Sequence, residues 1–133
     1  MRALIAEDEF VGRKLMSTFL SPLFEIDITV NGKEALEAFK IAFEEGKPYK
    51  LIFMDIMMPE MDGLTALDAI RKFETENKVL SKDAVKVFMT TAIDDPKTVI
   101  RSFHDLEASA FLVKPLLKEK LYEELEKIGL LNK

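Results

Sequence analysis

Four short stretches hold residues that could handle a phosphoryl group or a divalent cation. They are Glu7-Asp8-Glu9, Asp55 inside LIFMDIMMPEMDG (residues 51–63), Thr90-Thr91 and Lys114-Pro115. Carboxylates crowded in a partly buried cleft repel one another, so they either take up protons or hold a cation. An all-oxygen donor set suits Mg²⁺, with Mn²⁺ as a substitute; zinc is a poor fit in a chain with one histidine and no cysteine. A carboxylate is also a nucleophile toward phosphorus and forms an acyl phosphate. Such a transfer asks the protein mainly for positioning and for neutralisation of the phosphoryl oxygens. With Asp55 as acceptor, Mg²⁺ would cover one side, Lys114 another, and the Thr91 hydroxyl would donate a hydrogen bond.

Each residue alone has an ordinary explanation. Asp55 could simply end an apolar run in water, the acids at 7–9 suit a helix N-terminus and its macrodipole, and Lys114 could lie along the surface. The chemical reading requires that they meet, which depends on the elements that carry them.

Short apolar runs at 3–6, 26–30, 51–54, 85–89 and 111–113 predict five strands. Between them lie stretches with helical spacing: Val11, Leu15 and Phe19; Ala35, Leu36, Phe39, Ala42 and Phe43, stopped by Gly46; Leu64, Leu67, Ile70 and Phe73. Asp95-Pro96 opens a fourth helix with Val99, Ile100, Phe103 and Leu106, and Leu117, Leu121, Leu125 and Ile128 mark a fifth. The polar stretch 74–84 reads as a helix end and surface loop. Alternating strands and helices build a doubly wound α/β sandwich, a parallel sheet with helices on both faces. Sites in such sheets form beyond the carboxyl ends of the strands, where the strand order reverses. With the order 2-1-3-4-5, strands one and three are neighbours, so Glu7, Asp8 and Asp55 fall together and Thr91 and Lys114 lie on the same edge.

A chain of 133 residues is expected to form one domain, 1–133, with no output domain. At 48% hydrophobic and 32% charged it has the composition of a globular protein. A net charge of -5 argues against binding nucleic acid, which needs clustered excess Lys and Arg. No stretch reaches about 18 apolar residues and no signal-peptide core is present, so neither membrane insertion nor export is expected. The absence of cysteine fits a cytoplasmic protein.

These residues resemble the receiver domain of two-component response regulators, in the stand-alone form similar to the chemotaxis response regulator. Glu7-Asp8, Asp55 in MDIMMPEMDG, Thr91-Ala92 and Lys114-Pro115 in ASAFLVKPL carry the likeness, which spans about residues 2–128. The resemblance implies a flavodoxin-like sheet of order 2-1-3-4-5 and a phosphoacceptor signalling protein, not an enzyme with an external substrate. It implies that Asp55 receives its phosphoryl group from a sensor histidine kinase or phosphotransfer protein in a Mg²⁺-dependent step and loses it slowly. Asp8, Asp55 and the Met57 carbonyl would bind the metal, with Glu7 acting largely through water. Thr91 and Phe111 would form the switch, and the face made by helix four, strand five and helix five would change its preference for a downstream protein. The implied state is a monomer or a weak phosphorylation-dependent dimer.

Four positions depart from the family pattern. Glu7 stands where aspartate is common, and Phe111 lacks the hydroxyl of the tyrosine often found there. The positions two residues beyond Asp55 and Thr91 border the path of attacking water in that family, so the apolar Met57 and Ile93 found there are expected to slow acyl-phosphate hydrolysis. His104 reads as a surface or half-buried residue, the seven methionines mainly as core filler, and Asp94 and Asp95 as helix caps, with the rim of the site as the alternative place for Asp94. Three other readings fit less well. A hydrolase of the haloacid-dehalogenase type expects a second acid where Met57 stands, and a flavodoxin-like electron carrier expects a Ser/Thr/Gly-rich loop where AEDEF stands. A receiver-like module that is never phosphorylated has no use for the intact set of Asp8, Asp55, Thr91 and Lys114.

Overall fold

The computed structural model describes residues 1–91 and 105–131. The apolar runs form β1 (Arg2–Ala6), β2 (Glu25–Thr29), β3 (Leu51–Asp55), β4 (Lys86–Thr91) and β5 (Ala110–Val113). All neighbours pair in parallel, in the order β2-β1-β3-β4-β5. The described helices are α1 (Phe10–Leu20), α2 (Gly32–Glu44), α3 (Gly63–Glu76) and α4 (Lys118–Lys127), the last being the fifth helix expected from the sequence. The helix expected to open at Asp95-Pro96, together with Ile93, Asp94 and His104, lies outside the described residues.

Alternation along the strands divides the core into two layers. Ile52 and Met54 of β3 face the side packed by Phe39 of α2 and by Leu67 and Ile70 of α3. Leu51 and Phe53 face Met16 and Leu20 of α1 and Leu121 and Leu125 of α4. Every residue of β3 is buried, as expected for a central strand covered on both faces. Phe53 and its register partner Phe88 meet edge to face, centroids 5.2 Å apart. Burying one such side chain contributes about 1.5–3 kcal/mol.

Local signals end the helices where the sequence indicates. The Asn31 side chain caps α2 by accepting from Glu34 N (2.8 Å), and Gly46 follows that helix with φ 75°. Asp62 caps α3 by accepting from Thr65 N (2.7 Å).

Two expectations shift. The inward stripe of α1 is Met16 and Leu20, flanked by Leu15 and Phe19, whereas Val11 is 75% exposed. Phe10, in the same first turn of α1, is likewise 69% exposed. In the 74–84 stretch, α3 continues to Glu76 and a short 3-10 turn covers Ser81–Asp83, but Glu74 is buried. It pairs with Arg71 (2.8 Å) and accepts from Val85 N (2.8 Å). Arg71 also donates to the carbonyls of Val85, Leu106 and Glu107, each at 2.9 Å, and so ties α3 to the entry of β4 and the approach to β5.

Candidate functional site

β1 and β3 are adjacent and Ala6 is the register partner of Met54, so the next residues, Glu7 and Asp55, emerge side by side. Backbone pairing continues past the strand ends: Glu7 N donates to Thr29 O (3.1 Å), Ile56 N to Thr90 O (2.9 Å) and Lys114 N to Thr91 O (2.7 Å). The site residues therefore sit on backbone held by the sheet. Arg13 of α1 fixes the loop after β1 by donating to the carbonyls of Glu7 (3.1 Å) and Asp8 (2.9 Å). The loop after β3 is held where Gly63 N donates to Ile56 O (2.8 Å) and Gly32 N to Met61 O (3.0 Å).

Carboxylate oxygens of Glu7, Asp8, Glu9 and Asp55 all lie within 4.8 Å of one another. Glu7 is 0% exposed and Asp55 4%, while Asp8 and Glu9 face solvent. Lys114 reaches across the cluster, its Nζ 2.5 Å from Glu7 Oε1, 2.9 Å from Asp55 Oδ2 and 3.8 Å from Glu9 Oε1. Glu7 Oε2 accepts from Glu9 N (3.3 Å), and Asp55 Oδ1 accepts from Met57 N (3.3 Å). Above the group opens a cleft of ≈ 580 Å³ whose lining includes Asp8, Asp55, Met57, Thr91 and Lys114.

Two titrating groups respond to this crowding. Burial, reinforced by the neighbouring Asp55 carboxyl, pushes Glu7 up to about 7 even though Lys114 pulls the other way. Burial draws the Lys114 ammonium down, but its hydrogen bonds to Glu7 and Asp55 outweigh that and hold it above its ordinary value. One lysine does not neutralise this many acids. A cluster of oxygen donors with surplus negative charge, and without nitrogen or sulfur ligands, fits a hard divalent cation such as Mg²⁺.

Of the residues picked from the sequence, Glu7, Asp8, Asp55, Thr91 and Lys114 come together at one edge. Thr91 is the last residue of β4 and 3% exposed. Met57 stands on the rim, 63% exposed. Phe111 is partly buried against the core layer under α2 and α3, opposite Met89 in the sheet. Glu9, Arg13 and Asp62 also border or brace the site and were not singled out as site residues. Glu9 had the same signal as its neighbours, and Asp62 is visible as a cap before α3, but nothing local marks Arg13, whose contacts are to backbone carbonyls.

Residues 3–126 match the response regulator receiver domain. The chain belongs to that family. Chemotaxis protein CheY of Treponema pallidum is 30% identical over 129 residues, 96% of this chain and 81% of that protein. The peroxide stress-activated histidine kinase mak1 of Schizosaccharomyces pombe is 33% identical over 119 residues, 89% of this chain. The chain spans only 7% of that kinase's length. Among solved structures, the receiver domain of the histidine kinase CKI1 from Arabidopsis thaliana, complexed with Mg²⁺ and BeF₃⁻, superposes with a TM-score of 0.74 at 29% identity, covering 94% of this chain and 89% of that one. The receiver domain is thus one of two-component signalling. No helix among its described residues is long and apolar enough to cross a membrane.

Proposed function

We propose that Asp55 accepts a phosphoryl group from a phosphohistidine on a sensor histidine kinase or phosphotransfer protein, and that the modified domain changes its affinity for a downstream protein. One observation carries this reading: Asp55, almost fully buried at a strand end, lies 2.9 Å from the Lys114 ammonium and within 4.8 Å of the neighbouring acids. In the transfer an Asp55 carboxylate oxygen forms the new bond to phosphorus, the bond from phosphorus to the histidine nitrogen breaks, and the imidazole leaves with its electron pair. Asp8, Asp55 and the Met57 carbonyl would hold Mg²⁺, with Glu7 acting through water; when bound, the ion neutralises phosphoryl oxygens. The Mg²⁺ and BeF₃⁻ complex of the CKI1 receiver domain supports the same reading.

Lys114 already reaches Asp55 and would follow the negative charge onto a phosphoryl oxygen, which loosens its hold on Glu7. Thr91 lines the same cleft, and its hydroxyl would donate to that oxygen. A group that adds negative charge makes contacts available in only one of two conformations, and Thr91 with Phe111 would pass that preference to the face around β5 and α4. The test is incubation with Mg²⁺ and acetyl phosphate, read by intact mass and by chemical-shift change, with Asp55→Asn alongside. A single adduct that needs Mg²⁺ and is lost in the variant is expected. An adduct that persists in Asp55→Asn would refute the acceptor assignment.

A further inference from the structure

We infer that Gly12 is a positioning residue: its missing side chain makes the recess that seats the Glu7 carboxylate against Lys114. A Cβ built at position 12 would lie 2.6 Å from Glu7 Oε1, 2.9 Å from its Cδ and 3.0 Å from its Cγ. Three consecutive atoms of one side chain therefore occupy the space that any other residue would take. The backbone supplies no competing reason for glycine, because Gly12 sits inside α1 and is not among the residues with positive φ. Glycine inside a helix is less favourable than alanine. The recess accounts for its presence.

Glu7 has no easy retreat. Its carboxylate is enclosed, one oxygen at Lys114 and the other accepting from Glu9 N, while Arg13 holds its carbonyl. Any displacement of the carboxylate disturbs its contacts with Lys114 and with Glu9 N. Gly12 thus answers the longer arm of Glu7. Replacing Glu7 by aspartate removes one methylene and replacing Gly12 by alanine adds one, so the double variant Glu7→Asp/Gly12→Ala is an isomer of the native protein with that methylene moved across the contact, the volume-conserving exchange that cores tolerate best.

The inference rests on the proposed Mg²⁺-dependent role of the site, but its test has arms that do not. The four proteins of the cycle, native, Glu7→Asp, Gly12→Ala and the double variant, are compared in thermal melting without metal, in Mg²⁺ titration followed by chemical shifts, and in acetyl phosphate labelling. Gly12→Ala alone should weaken Mg²⁺ binding and labelling by about tenfold, the low end for partners that orient metal-holding groups, and should leave the melting temperature flat or lower. In the Glu7→Asp background the same change should cost neither binding nor labelling and should raise melting by about 3–5 °C, the ordinary gain of alanine over glycine in a helix. Equal effects of Gly12→Ala in both backgrounds would overturn the inference. If the native protein is not labelled at Asp55 yet the melting cycle reverses sign, the proposed function falls and the role of Gly12 in seating Glu7 stands.

Discussion

The buried Glu7 carboxyl allows a sharp test through Glu7→Gln, which keeps the shape of the protonated acid and cannot ionise. Glu7 rises from its ordinary 4.5 to about 7 in the fold, chiefly through burial. Because the folded value exceeds the unfolded one, the fold prefers the protonated form. Its contribution is complete below pH 4.5 and is lost as pH rises through about 7. A displacement of that size corresponds to roughly 3 kcal/mol at the alkaline end, at about 1.4 kcal/mol per pH unit. Glu7 shares Lys114 with Asp55, so about 2–3 kcal/mol is the expected magnitude. In urea denaturation with a chelator present, Glu7→Gln should exceed the native protein by that amount at pH 8, and the gap should shrink toward zero near pH 5. All groups other than residue 7 are common to both proteins, so the difference removes them. Mg²⁺ at pH 8 should narrow the gap by stabilising the native protein more than the variant. A gap that stays constant from pH 5 to 8, or a native protein that becomes more stable relative to Glu7→Gln as pH rises, would refute the reasoning.

Arg71→Met should cost about 3–5 kcal/mol in chemical denaturation, because it strands the buried Glu74 and removes donors from three carbonyls; a loss below about 1 kcal/mol would show that the network is dispensable. Adding Glu74→Gln to that variant should recover part of the loss by removing the unpaired charge. Met57→Asn should speed phosphate loss from labelled Asp55 several-fold, since the exposed thioether on the cleft rim would give way to a group that can hold water; unchanged decay of the labelled protein would dismiss the idea.

Much of this molecule is legible in its sequence because a central parallel strand has few ways to hide. Leu51-Ile52-Phe53-Met54 is apolar without a break, and its shortness and the turn residues after it favour a strand buried on both faces over a helix. Once the alternation of strands and helices implies the sheet, the switch-point rule brings Glu7, Asp8 and Asp55 to one edge. The gaps lie where identity depends on a distant partner. Glu74 sits in a polar stretch and looks solvated until Arg71 and Val85 N are placed around it. Val11 fits a helical stripe with Leu15 and Phe19, but periodicity does not reveal that the first turn of α1 is left exposed. Gly12 is silent in sequence because its meaning is the volume of another side chain.

Charge balance links the acids, the lysine and the proposed chemistry. Lys114 contacts two buried carboxylates at once and holds one positive charge against two negative ones. Without a cation, a proton on Glu7 would ease that deficit, in keeping with the upward push that burial gives this group even beside an ammonium. A divalent ion held by Asp8 and Asp55 would meet the same deficit from the solvent side and release the proton. A phosphoryl group on Asp55 would add charge again and draw Lys114 outward. The proton, the cation and the phosphoryl group would therefore act on one shared balance, and Glu7, pushed up to about 7, sits beside both groups that would carry it.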